Sequence, residues 1–157
     1  MREAAGDRIV AAKAREFHTL GTVLGLGYEN STIVAVEPSS PPIRDGQVYM
    51  PTARPGYLAP HAWLVDGRSL YDMFGPGFSL VVAPEADDRQ VNLAVSDAEA
   101  LGVPLQVVRP KNIPILDLYQ AELTLVRPDQ HVAWRGDLWS REALERATGN
   151  IITDVMS

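Results

Sequence analysis

Residues 54–78 read RPGYLAPHAWLVDGRSLYDMFGPGF. Pro55-Gly56 and Pro60 fix an extended, turning entry with few donors free for a strand ladder. Proline lacks an N–H, and it restrains the residue before it. His61-Ala62-Trp63-Leu64-Val65 follows as a short strand-like run, closed by the turn pair Asp66-Gly67. Arg68 and Ser69 lead into Leu70-Tyr71-Asp72-Met73-Phe74. Gly75-Pro76-Gly77 then stops the segment before a second apolar run at residues 78–82. So many conformationally special residues in so few positions predict a tightly specified corner rather than a loose linker.

Downstream of this corner the pattern alternates. Strand-like runs fall at residues 61–65, 78–82, 105–109, 122–127 and 131–135. A helix is expected over 88–101, where Val91, Ala94, Val95, Ala98 and Leu101 share one face. An aspartate can cap its start and Gly102 ends it. Arg127-Pro128-Asp129-Gln130 joins the last two strands. Proline then aspartate suit the central positions of a type I turn, so the pair reads as an antiparallel hairpin. A final helix is expected over 141–148, with Ser140 as N-cap, Trp139 and Leu144 as a hydrophobic staple, and Gly149 as its terminal glycine. The order is β-α-β, a linking segment over 110–119, a β-hairpin, then α. A βαβ half and a ββα half build a small mixed α/β sheet with helices on both faces.

Upstream, residues 1–20 read as a helix with a partial apolar stripe of Ile9, Val10, Ala12, Lys13, Phe17 and Leu20, stopped at Gly21. Gly21, Gly25 and Gly27 are spaced GxxxGxG rather than GxGxxG, and no strand precedes them. They predict a glycine-rich turn, not a nucleotide loop. Residues 32–36 are a β-branched run expected to form an edge strand. Residues 37–46, EPSSPPIRDG, hold three prolines and two serines and read as a linker. The expected organisation is therefore residues 1–36, a linker over 37–46, and an α/β domain over 47–157.

Two blocks resemble a known family. RPG-x-x-APHAWL-x-DGRSLYD-x-FG-x-GF is similar to the start of the C-terminal domain of FAD-dependent aromatic-ring hydroxylases, the phenol hydroxylase type of class A flavin monooxygenase. Leu125-Val126-Arg127-Pro128-Asp129-Gln130-His131-Val132-Ala133-Trp134-Arg135-Gly136 is similar to the end of that domain, in the same order and spacing. A weaker piece, Glu16-Phe17-His18-Thr19-Leu20-Gly21 with LGLGYENS at residues 24–31, resembles the last segment of the flavin domain before the join. The residues that carry the first block are Arg54, Pro55, Gly56, Pro60, His61, Trp63, Asp66, Gly67, Arg68, Ser69, Tyr71 and Asp72. Those of the second are Arg127, Pro128, Asp129, His131, Trp134 and Arg135. All are expected to be structural; none is assigned a catalytic, cofactor-binding or metal-binding role. The resemblance implies a thioredoxin-like C-terminal domain, and the element order above is the thioredoxin order. Thioredoxins carry CxxC where this chain has Ala83-Pro84-Glu85-Ala86-Asp87-Asp88. Without a thiolate there is no nucleophile for disulfide exchange, so the fold does not carry the chemistry.

The chain has 157 residues, enough for one domain with a short appendage, and a domain of that size buries about 68–70% of its unfolded surface. It contains no cysteine, which excludes disulfides, thiolate metal sites and cysteine nucleophiles. A net charge of −6 and a pI near 5.0 argue against nucleic acid, whose phosphates need clustered cations. No apolar run approaches the roughly 20 residues that span a bilayer. MREAAGDRIVAAKAREF lacks an apolar core of signal-peptide length, so a cytoplasmic protein is expected.

Several residue sets invite sharper readings. His61 with Ser69 and Asp66 or Asp72 supplies the residue types of a hydrolase triad, but no GxSxG elbow carries the serine. The structural reading has His61 and Asp66 holding strand ends and Ser69 capping a turn. His131, Asp129 and His61 lack metal-ligand spacing and read as polar contacts around the hairpin. Arg54, Arg68 and Arg135 are expected to pair with Asp66, Asp72 or Asp129 in at least two cases, a bound anion being the alternative. Trp63, Trp134 and Tyr71 read as core and interface aromatics.

By resemblance, the parent enzyme takes a hydride from NAD(P)H and uses FAD and O2 to hydroxylate an activated aromatic ring. The flavin signatures are missing from this chain, where Gly6-Asp7 matches only as a dipeptide. The expected role is a non-catalytic C-terminal domain that supports a flavin-binding domain, its partner, and contributes to a homodimer. FAD and NAD(P)H belong to the parent, and no cofactor is expected here. The alternative is an autonomous thioredoxin-like ligand- or protein-binding module without redox activity, with its site at the Pro60-His61 corner and the Arg127 hairpin.

Overall fold

A computed structural model describes residue 27, residues 31–35, residue 37 and residues 51–149. The helix expected over 1–20, Gly21, Gly25 and most of the proline-rich linker lie outside the described residues. After a 3-10 turn, Leu70–Met73, the elements run β1 (Phe78–Val82), α1 (Asp88–Leu101), β2 (Leu105–Val108), α2 (Ile115–Tyr119), β3 (Leu123–Val126), β4 (Val132–Gly136) and α3 (Arg141–Ala147). No described helix is long and apolar enough to cross a membrane.

The strands form one mixed sheet in the order β2-β1-β3-β4. β1 and β2 are parallel, with Leu80 opposite Val107. β3 runs antiparallel to β1, with Leu80 opposite Leu125, and antiparallel to β4. β1 and β3 are buried along nearly their whole length, the pattern of central strands covered on both faces. On one face, α1 and α3 cover Leu80, Val82, Leu123 and Leu125 with Val91, Ala94, Ala98, Leu144 and Ala147. On the other, Ala53, Ala59, Leu70 and the α2 residues Ile115 and Tyr119 close over Val81, Val108, Val126 and Val132.

The helix ends follow local chemistry. The Asp87 carboxylate accepts from the Arg89 N–H at 2.9 Å, and Gly102 terminates α1 with a left-handed φ of 65°. Ser140 Oγ accepts from Ala143 N at 3.2 Å, and Trp139 packs into the cluster that holds Leu144. The β3–β4 turn is closed by Gln130 N donating to Arg127 O at 2.9 Å, with Pro128 and Asp129 at its centre.

Three expectations are corrected. Residues 61–65 are not a ladder strand; their one described bridge joins Trp63 to Ser69. The run curls into its own hairpin, with Leu64 N donating to Arg68 O at 2.8 Å and Gly67 N to Leu64 O at 2.9 Å. Residues 32–35 are not a strand either. Val34 N closes a turn onto Ser31 O at 3.2 Å, and Ala35 N donates to Ala133 O at 3.0 Å beside β4. The segment over 110–119, read only as a link, contains α2. A helix of five residues that starts at Pro114 without a side-chain cap is too short to show periodicity.

Candidate functional site

The Pro55–Pro60 corner lies along the β3–β4 hairpin. Gly56, at φ 91°, donates to Val132 O at 2.7 Å. Val132 N donates to Tyr57 O at 2.8 Å, and Ala59 N to Gln130 O at 2.8 Å. The two blocks, with residues 79–124 between them in sequence, therefore form one structural unit. The buried Tyr119 hydroxyl fastens it from below, donating to Pro60 O at 2.7 Å. Tyr71 OH likewise donates to Ala59 O. Sequence reasoning missed Tyr119, which contacts a carbonyl 59 positions away and has no local signal.

The hairpin at residues 62–70 stands out from this unit. Ser69 Oγ accepts from Tyr71 N at 3.1 Å while the Asp72 carboxylate accepts from Ser69 N at 2.9 Å, a capping box on the 3-10 turn. His61 Nε2 lies 2.9 Å from Ser69 Oγ, and the imidazole meets Trp63 and Tyr71 edge-on at 4.8 and 5.3 Å between ring centroids. His61 and Ser69 of the triad reading are thus brought together. The carboxylates are committed elsewhere: Asp72 to the cap, and Asp66 to Arg68 at 2.7 Å. The arrangement orients a turn and supplies no base–carboxylate relay. Hydrogen bonds from the Arg68 side chain and backbone hold the Asp66 carboxyl below the usual aspartate range, and the side-chain bond to Asp66 raises the Arg68 guanidinium.

The other residues separate by environment. Asp129 pairs with Arg127 at 2.7 Å and accepts from His131 N at 3.2 Å, so it holds the hairpin turn. Among the described residues no three His, Asp or Glu side chains converge as a metal would need. Arg68 pairs with Asp66 as expected, but Arg135 reaches Glu37 at 2.8 and 3.0 Å, and Arg54 stacks over the Tyr57 ring at 5.7 Å. Trp134 packs edge-on against Trp139 at 5.6 Å, and Tyr71 packs against the core. Trp63 is not in the core: it is 71% exposed, on the hairpin leg opposite Ser69, and Val65 in the loop is 81% exposed.

A flavin pyrophosphate does not fit the βα turn after β1. That turn is Ala83-Pro84-Glu85-Ala86-Asp87, without glycine. The Asp87 carboxylate already occupies a helix N–H, and Glu85 and Asp88 add exposed negative charge. Chemically, the described corner can hold shape and present two exposed apolar side chains, Trp63 and Val65, beside the Asp66–Arg68 pair.

Residues 52–153 match the family described as "Aromatic-ring hydroxylase, C-terminal". The FAD-dependent monooxygenase apdD of Emericella nidulans is 34% identical over 82% of this chain and 22% of its own length. The phenol 2-monooxygenase of a Pseudomonas species is 30% identical over 85% of this chain and 25% of its own. Among solved structures, RebC-10x with bound K252c superposes at a TM-score of 0.71 with 34% identity, covering 92% of this chain and 29% of that one. An aklavinone-11 hydroxylase in complex with FAD and aklavinone superposes at 0.64 with 26% identity, covering 82% of this chain and 27% of that one. The chain thus spans about a quarter of the length of these relatives. On the match to residues 52–153, this chain belongs to the aromatic-ring hydroxylase C-terminal domain family.

Proposed function

We propose that this chain is a non-catalytic, thioredoxin-like domain of an FAD-dependent aromatic hydroxylase, which braces the flavin- and substrate-binding part of the parent enzyme and supports its dimer. The observation that carries this reading is the family match over residues 52–153 together with the quarter-length coverage of the relatives. The sheet order β2-β1-β3-β4, with β3 antiparallel to its neighbours, supports the thioredoxin-like description. In this reading residues 1–36 are the end of the flavin portion, 37–46 the join and 47–157 the accessory domain. FAD and NAD(P)H act in the parent, in the cytoplasm, and the flavin-binding portion is the domain's partner. The acidic turn after β1 and the use of Asp66 and Asp72 in structural hydrogen bonds favour a supporting role over a catalytic one.

Purified chain, supplied with FAD and NADPH, is expected to retain no flavin absorbance after desalting and to oxidise no NADPH. Tightly retained flavin, or measurable turnover by this polypeptide alone, overturns the reading. The genomic reading frame upstream of Met1 gives an independent check, because it is expected to continue into a flavin-binding sequence.

A further inference from the structure

We propose that the cleft beside the loop end of the residue 62–70 hairpin binds a small organic anion with an apolar body. The cleft has a volume of about 390 Å3, at the small end of the ~300–1,000 Å3 range of ligand sites. Leu64, Val65 and Met73 give it an apolar wall, and Arg68, Arg109 and Lys111 give it a cationic one. One carboxylate, Asp66, lines it against those three cations, in a chain of net charge −6.

The cations are available to a ligand in different degrees. Arg68 is shared with Asp66 and Arg109 with Asp88, in pairs whose side chains are all at least 44% exposed. Such surface pairs hold their partners weakly, by about 0–1 kcal/mol, so an anion that also gains apolar contact competes with them. Lys111 has no ion pair or hydrogen bond among the described residues. Next to it Asn112 adopts a left-handed φ of 60°, which fixes how the loop after β2 turns past the cleft.

The position in the fold supports the same conclusion. Arg109 directly follows β2, and its partner Asp88 begins α1 after β1. The cleft therefore lies outside the carboxyl ends of the parallel pair β1 and β2, where open α/β sheets place ligands. A ligand seated there has its anionic end at Arg109 and Lys111 and its apolar body against Leu64 and Met73.

The test uses the whole chain, 15N-labelled, titrated with 2-naphthoate and followed by NMR and calorimetry. Saturable shifts are expected at the amides of Arg68, Arg109, Lys111 and Asn112. Methyl 2-naphthoate, which lacks the charge, and inorganic phosphate, which lacks the ring, are each expected to bind at least tenfold more weakly. Lys111→Glu is expected to weaken 2-naphthoate at least tenfold, and Lys111→Gln severalfold, with Tm unchanged because Lys111 is exposed. Shifts centred elsewhere, no saturation, equal binding of the neutral ester, or wild-type affinity in Lys111→Glu would each overturn the proposal.

Discussion

Tyr119 is fully buried, and its hydroxyl donates to Pro60 O at 2.7 Å. Tyr119→Phe keeps the ring and removes the donor, leaving the Pro60 carbonyl under-satisfied in an apolar setting. We expect a loss of about 1–3 kcal/mol in urea unfolding, with little change in m. Thr124 presents the opposite case. It sits between Val81 and Arg135 in the ladder, fully buried, and its Oγ1 has no hydrogen-bond partner among the described residues. Thr124→Val preserves shape while removing a desolvated hydroxyl, so it is expected to be neutral or to raise stability by up to about 1 kcal/mol in the same measurement. Neither position could be ranked from the sequence. A tyrosine ending a short linking segment and a threonine in an apolar run look ordinary until the partner, or its lack, is known. Residue types at the corner were legible, whereas the Arg135 partner was not, because Glu37 lies 98 positions away across a proline-rich stretch.

Two hairpins of the same construction flank the corner. In each, a residue accepts from the N–H three positions on, and its flanking pair closes a further hydrogen bond: Leu64 with Gly67 and Arg68, Arg127 with Gln130 and His131. The third loop residue is left-handed in both, Gly67 at φ 83° and Gln130 at φ 66°. The first hairpin places glycine there and the second does not. A side chain in that region costs about 1–2 kcal/mol, so Gln130→Gly is expected to raise thermal stability by about 0.5–1 kcal/mol once the added freedom of the unfolded chain is deducted. An unchanged or lowered Tm would show that the Gln130 side chain makes a compensating contact. The sequence pattern located β1, α1 and the β3–β4 turn because each is defined by local signals: an apolar run, a capped amphipathic stripe, a Pro-Asp turn. It misassigned residues 61–65 because an apolar run before Asp-Gly has the same composition in a ladder strand and in a small self-contained hairpin. The missing neighbour strand decides between them, and that is tertiary information.

At the scale of the molecule, Arg135 is where separate stretches meet. It lies on β4, pairs bidentately with Glu37 at 2.8 and 3.0 Å, and donates to Tyr119 O at the end of α2 at 3.2 Å. Its side chain is 12% exposed and that of Glu37 28%, so the pair is far less screened than the i,i+4 pair Arg141–Glu145, at 50% and 35%. Planar two-point pairing in a half-buried setting is worth more than a surface contact, which contributes about 0.3–0.5 kcal/mol on a helix. A double-mutant cycle over Glu37→Gln and Arg135→Gln is therefore expected to give a coupling of about 1–2 kcal/mol, and one over Arg141 and Glu145 less than about 0.5 kcal/mol. The larger coupling also predicts a mechanical consequence. With Glu37 released, the segment that carries the buried Val34 loses an anchor on β4, and amide exchange at Ala35, bonded to Ala133 O at 3.0 Å, should quicken. Equal couplings for the two pairs, or unchanged exchange at Ala35, would mean that Val34 burial alone holds this segment against the sheet.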